Sequence, residues 1–117
     1  MSLTEKRIEF FKNFASFTTV AASSGIDFLV TCFYRSPAEQ KKLYDEGKSQ
    51  CDGYTKKSRH QLWLAIDIVL VDEDGQCVWA HVPEYDTLGQ MWEAMGGTWG
   101  GRWESLGDIY HFEYKWV

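Results

Sequence analysis

From Trp63 to Val71 every residue is hydrophobic except Asp67. That one carboxylate constrains the fold more than any other feature of the chain. A charge in the middle of an apolar run is costly to bury unless it is paired or binds a cation. His60 stands at the entry to the run, within the stretch Ser58-Arg59-His60-Gln61-Leu62, and is a natural co-ligand. Asp108-Ile109-Tyr110-His111, near the C-terminus, offers a second pair. Two imidazoles and two carboxylates form a donor set suited to a single zinc ion.

The length of 117 residues predicts one domain. A hydrophobic content of 44% suffices for a single core, but six Trp exceed what a small core hides easily. Individual indoles are therefore divided between core packing and a groove wall. Net charge is −5, and the densest basic cluster is Lys56-Lys57 with Arg59. Phosphate binding needs concentrated Lys and Arg, so a nucleic-acid partner is excluded.

Three cysteines, Cys32, Cys51 and Cys77, include no Cys-x-x-Cys pair. A disulfide framework and a thiolate zinc site are both unsupported. Cys32 reads as a buried small hydrophobe, and pairing of Cys51 with Cys77 stays open. The N-terminus is charged and amphipathic, unlike a signal peptide. No apolar run approaches the ~20 residues of a membrane span. The expectation is a soluble protein made in the cytoplasm that needs other machinery to act outside it. The oligomeric state is not legible.

Residues 4–24 read as an amphipathic helix. Its stripe is Ile8, Phe11, Phe14 and either Phe17 or Ala21, with Phe10 flanking. Thr4 or Ser2 caps it and Gly25 ends it. Residues 27–34 read as a strand that delivers Arg35. Ser36-Pro37-Ala38-Glu39 is a capping box with Pro in the first turn, opening a helix to about residue 46 with Leu43 and Tyr44 inward. Residues 47–59 form a long polar loop, of the length that often carries function. Residues 64–71 are the central strand. Asp72-Glu73-Asp74-Gly75 is a turn, and residues 76–80 return as a hairpin. Asp86 or Thr87 opens a helix to about Met95, with Leu88, Met91, Trp92 and Met95 buried. A Gly/Trp loop, residues 97–103, precedes a final strand at 110–116.

Side chains alternate along a strand. Leu64, Ile66, Ile68 and Leu70 share one face of the central strand, and Asp67 lies on the other. In the last strand Tyr110, Phe112, Tyr114 and Trp116 face the core, while His111, Glu113 and Lys115 face away. Antiparallel neighbours would project Asp67 and His111 from the same face, with His60 reaching them from the preceding loop. Ligands His60, Asp67 and His111 leave a fourth zinc position open, as a catalytic site requires. Asp108 is then free to move a proton, provided it lies in the bend before the strand. Glu113 has the right parity and is the reserve for either role. Arg35 can stabilise negative charge on a carbonyl oxygen. His81 lacks such company and reads as a surface residue.

These residues resemble the zinc peptidase family of the D-alanyl-D-alanine carboxypeptidases, which includes D-alanyl-D-alanine dipeptidases and endolysin-type L-alanyl-D-glutamate peptidases. Ser58-x-His60-x6-Asp67, with Ala65, is similar to its first metal motif. Gly100-Gly101-Arg102-Trp103-Glu104-Ser105 followed by Asp108-x-x-His111-Phe112 is similar to its second, most of all in the endolysin-type subgroup. Tyr34-Arg35-Ser36 with Gln40, Leu43, Tyr44 and Gly47 resembles the segment that supplies the family's arginine. The resemblance spans roughly residues 26–114.

It implies an α+β fold of the Hedgehog/DD-peptidase type, a small antiparallel sheet flanked by helices. It implies one Zn2+ held by His60, Asp67 and His111, with Asp108 as acid/base and Arg35 steadying substrate or oxyanion. Ser58 would support a ligand or the substrate, Gln40 belongs to the arginine segment, and Trp103 is a cleft wall or a packing residue. The family usually has Gly at the position of Trp63. A Gly there signals a close backbone approach or positive φ, which Trp tolerates poorly. Either the backbone differs locally or the indole fills part of the cleft.

The implied activity is hydrolysis of peptidoglycan stem peptides, at the L-alanyl-D-glutamate bond, at the bacterial cell wall after phage-type release. The alternatives are a D-alanyl-D-alanine carboxypeptidase or dipeptidase, and a non-catalytic wall-binding module.

Overall fold

The computed structural model describes residues 1–104 and 107–115. Helix α1, Leu3–Ser23, starts where Ser2 Oγ accepts the Glu5 N–H at 3.1 Å and stops at Gly25, whose φ is +73°. Its inward residues are Phe10, Phe17 and Ala21. Ile8 and Phe11, assigned to the buried stripe from spacing, are 49% and 45% exposed. The partner surface decides between the two stripes. Phe10 and Phe17 each pack edge-on against Trp92, with ring centroids 5.5 Å apart in both pairs.

Strand β1, Asp27–Cys32, leads to α2, Pro37–Asp45, through the expected capping box. Ser36 Oγ accepts from Glu39 N, and Glu39 Oε1 accepts from Ser36 N, both at 3.1 Å. Tyr44, expected inward, is 46% exposed, and the buried residue of α2 is Gln40. The short helix turns its Gln40 edge toward the 47–59 loop rather than toward the apolar core. Gln40 Nε2 donates to Ser49 Oγ and to the Cys51 carbonyl, each at 2.8 Å. A 3₁₀ turn, Arg59–Leu62, then feeds β2, Ala65–Val71.

The turn after β2 is held by Asp72 Oδ1, which accepts from Asp74 N and Gln76 N. The returning strand β3 is short, Cys77–Val78. Helix α3, Pro83–Ala94, begins earlier than expected, with Val82 as N-cap and Pro83 pre-set in the first turn. It buries Tyr85, Leu88, Gly89 and Trp92. Strand β4, Thr98–Trp99, a 3₁₀ turn, Gly100–Arg102, and strand β5, His111–Glu113, complete the fold. The expected core position at Trp116 lies outside the described residues.

The sheet order is β1-β2-β5-β4, with β3 pairing β2 and every pair antiparallel. Leu64, Ile66, Ile68, Leu70, Phe112 and Tyr114 form the core face against α1 and α3. This is the expected α+β arrangement. Asp67 lies directly across from His111 on β5, so the predicted parity holds. Among the described residues, no helix is long and apolar enough to cross a membrane.

Candidate metal centre and active site

Asp67 occupies the central strand, and both imidazoles converge on it. His60 Nε2 is 3.3 Å from Asp67 Oδ2, and His111 Nδ1 is 3.0 Å from Asp67 Oδ1. The two rings lie with centroids 5.1 Å apart. Both histidines are buried, and Asp67 is only partly exposed. The cost of placing a carboxylate in an apolar strand is offset by these cross-links.

Local structure fixes each ring. Ser58 Oγ accepts the His60 N–H at 3.2 Å and Ser58 N donates to Gln61 Oε1, a second capping box that winds the 3₁₀ turn. Arg7 of α1 donates to the Leu62 carbonyl at 2.8 Å and ties the turn to the core layer. His60 Nδ1 lies 3.0 Å from the Phe33 carbonyl, which can only accept, so Nδ1 carries a hydrogen. Its Nε2 therefore faces a carboxylate with a lone pair unless a proton or a cation lies between them. His111 is held likewise, with Nε2 2.7 Å from Glu113 Oε1 and Nδ1 against Asp67.

Each imidazole is thus wedged between two acceptors. Burial alone would lower the His60 pKa, but the hydrogen bonds with Asp67 and Cys32 outweigh it and push it up to about 9. Burial likewise opposes the rise at His111, where Asp67 and Glu113 prevail. The same contacts outweigh burial at Asp67 and hold it well below the usual carboxylate range. The cluster thus stabilises more positive charge than two neutral imidazoles carry. A divalent cation can take over from those protons, so the donor set fits zinc.

The donor atoms fall into two overlapping sets that share Asp67. Cys32, His60 and Asp67 form one, and Asp67, Asp108 and His111 the other, each with ligand atoms within 4.8 Å of one another. Asp108 lies in the bend before β5, as its offset from His111 requires. Its Oδ1 accepts from Tyr110 N at 3.0 Å, and its carbonyl accepts from His111 N. Burial, and then the negative Asp67, raises the Asp108 pKa. Gly100 is required here, because a Cβ on it would lie 2.5 Å from the Asp108 carbonyl oxygen.

Arg35 reaches the same cluster. Its Nη2 is 3.5 Å from Asp67 Oδ2, and its Nη1 donates to Gln40 Oε1 at 2.9 Å. Glu113 is buried beside His111, with Arg59 Nε 3.7 Å from its other oxygen. Trp103 sets its half-exposed ring 5.2 Å from that of His111. Trp63 adopts φ +64°, ψ +36°, the left-handed conformation that a glycine signals, and packs on Phe33 and Tyr34. His81 pairs with Asp86, on the surface. Ser105 lies outside the described residues. A hollow of about 350 Å³ at the far end of β2, lined by Gly25, Asp27, Asp72 and Glu73 among others, contains none of these groups.

Cys32 differs from its sequence reading. It is half-buried, with Sγ 3.7 Å from His60 Nδ1 and 3.5 Å from Arg35 Nη2. All three cysteines are free thiols. The position of Cys32, three residues before Arg35, was the available signal. The bulge that aims it has no sequence signature.

This architecture is that of a known peptidase family. The family model for D-alanyl-D-alanine carboxypeptidase matches residues 52–114, and the chain belongs to that family. Its relatives include the peptidoglycan L-alanyl-D-glutamate endopeptidase CwlK of Bacillus subtilis (strain 168). That protein is 30% identical over 117 aligned positions, which cover 87% of this chain and 69% of the relative. The L-Ala D-Glu endopeptidase ChiX of Serratia marcescens superposes with a TM-score of 0.63 at 29% identity, covering 77% of this chain and 68% of its own. The vancomycin-resistance D,D-pentapeptidase VanY, solved with Zn(II), shares the fold with a TM-score of 0.65 at 18% identity, over 92% of this chain and 71% of that one.

Proposed function

We propose that this protein is a zinc-dependent peptidase that hydrolyses peptidoglycan stem peptides at the L-alanyl-D-glutamate bond, acting at the bacterial cell wall. The observation that carries the reading is the wedging of both imidazoles against Asp67, with their outer nitrogens held by Phe33 and Glu113. The endopeptidase activity of CwlK and ChiX supports the choice of bond.

One Zn2+ would be held by His60, Asp67 and His111. When bound, the ion supplies Lewis acidity, which polarises the scissile carbonyl and acidifies water. Asp108 is the acid/base. Its Oδ1 is engaged by Tyr110, so Oδ2 takes a proton from water as the water oxygen bonds the carbonyl carbon. Oδ2 then gives that proton to the amine nitrogen as the C–N bond breaks. A pKa raised by burial suits a group that must both accept and return a proton near neutrality. Arg35, steadied by Gln40, stabilises the charge that develops on the carbonyl oxygen. Trp103 walls the cleft on the His111 side.

The test is digestion of purified cell wall by the zinc-loaded protein and by Asp108→Ala, read as new amino termini. The parent should expose a new glutamyl amino terminus in defined stem peptides, with alanine as the new carboxyl terminus, and the variant should fall to background. Equal release by both would sink the reading.

A further inference from the structure

A run of aromatic side chains leaves the proposed site on the side of Arg35, and no step of the hydrolysis uses it. We propose that Tyr34 and Trp63 form a sugar-binding platform, on which a ring of the wall's glycan strand stacks while its stem peptide lies at the metal centre. This inference rests on the cell-wall reading above and adds a subsite to it.

The two segments that carry the platform are those that build the site. The His60 carbonyl accepts from Arg35 N and from Trp63 N, each at 3.4 Å, which joins the end of the β1 segment to the 3₁₀ turn at a proposed ligand. Tyr34 precedes Arg35, and Trp63 closes the turn that carries His60. Their rings lie with centroids 5.3 Å apart and planes inclined at 47°, and they are 45% and 42% exposed. Phe33 stands edge-on against Trp63 at 5.8 Å and meets Phe11 of α1 at 5.3 Å, which extends the aromatic surface from the site to the helix. Single exposed apolar residues are ordinary, whereas a contiguous patch marks a binding surface.

Trp63 points to a ligand rather than to packing. Its left-handed backbone, φ +64°, is one that a bulky side chain adopts only at a cost. Strain of this kind persists where the surroundings impose it, and it gathers at ligand-binding positions. Core burial does not account for the indole, because so much of it faces solvent. A pyranose ring suits such a surface. Its axial C–H groups make an apolar face with slightly positive hydrogens, and the face of an aromatic ring is slightly negative. The hydroxyls of the sugar keep their water. The chemistry of the wall sets the reach. The first alanine of a stem peptide is attached to its sugar through a lactyl group, and an extended residue spans only about 3.5 Å. A sugar joined so closely to the cleaved bond has to meet residues that adjoin Arg35 and His60, as Tyr34 and Trp63 do.

Glycan strands stripped of their stem peptides are the probe, because they contain no bond for a peptidase to cut. Wild-type protein should bind them in titration calorimetry. Trp63→Gly and Tyr34→Ala should each weaken binding roughly tenfold, the scale of losing a central aromatic anchor. Glycine suits the backbone of residue 63, so that variant removes the ring without opposing the turn. Tyr44→Ala, which removes a ring of similar exposure from α2, should bind as the wild type does. No binding by the wild type, full binding by Trp63→Gly, or an equal loss in Tyr44→Ala would overturn the platform and leave the peptidase reading standing. A second measurement compares hydrolysis of sugar-linked and free stem peptides. The wild type should favour the sugar-linked form in kcat/KM, and Trp63→Gly should lose that preference through a higher KM. An equal fall on both substrates would show the rings holding peptide instead, and would overturn the proposal. Failure of the wild type to cut either substrate would sink the peptidase reading, with the strand titration still deciding the platform.

Discussion

One face of β2 presents Leu64, Ile66, Ile68 and Leu70 to the core, and the other presents Ala65, Asp67 and Val69 to the site. The first face is stabilised by the area it removes from water and accepts many shapes of similar volume. The second works only as a set, because each charged group is tolerated through its partners. A single alternating strand therefore couples a tolerant layer to an intolerant one. Changes on the core face should cost stability, and changes on the site face should cost metal and activity.

The largest effect is expected from Asp67→Ala. It removes the group shared by both imidazoles and Arg35, so metal analysis of dialysed protein should find no stoichiometric zinc. Its opposite on the core face is Phe112→Ala. Phe112 is fully buried against Phe17 and Trp92, and truncation should cost about 3–5 kcal/mol in urea unfolding. Zinc stoichiometry of the molecules that remain folded should be unchanged. A variant that lost both stability and metal in proportion would break the distinction between the two faces.

Glu113→Gln sharpens it. Glu113 sits on the site face, bonded to the outer nitrogen of His111. Replacement should weaken zinc roughly 10–100-fold in chelator competition, as loss of a partner to a ligand does. The smallest effect concerns Trp63. A left-handed non-glycine residue costs about 1–2 kcal/mol. Trp63→Gly should therefore be more stable than Trp63→Ala by roughly 1 kcal/mol, since alanine keeps the strain and loses the ring. Equal stabilities in urea would show that the backbone relaxes instead.

The sequence made some of this legible because certain signals are local. The capping box of Ser36 and Glu39 depends on four residues and appears as read. The pairing of Asp67 with His111 follows from period-two alternation once two strands are neighbours. The α1 stripe was misread because Phe10, Phe11, Phe14 and Phe17 offer two helical faces of similar hydrophobicity, and the choice belongs to Trp92. Tyr44 was misread because α2 serves the arginine through Gln40 rather than the core. Cys32 was misread because a one-residue bulge moves a strand residue between faces, and backbone register is not written in composition. Helix α3 starts upstream of the expected Asp86 or Thr87 cap, because Pro83 pre-sets the first turn after Val82, whose side chain offers no capping group to mark the start.

The glycines that face tryptophans carry a further consequence. A Cβ at Gly97 would lie 2.1 Å from the Trp92 indole, and a Cβ at Gly89 or Gly101 would meet the Trp99 ring at 2.2 or 2.4 Å. Those two indoles also donate to the Glu113 and Ile109 carbonyls, on either side of His111. Enlarging a glycine drives a ring off its carbonyl, and shrinking the ring leaves a void. Evolutionary drift at these sites is therefore expected to proceed by paired substitution, and a family tree of relatives should carry its changes there two at a time.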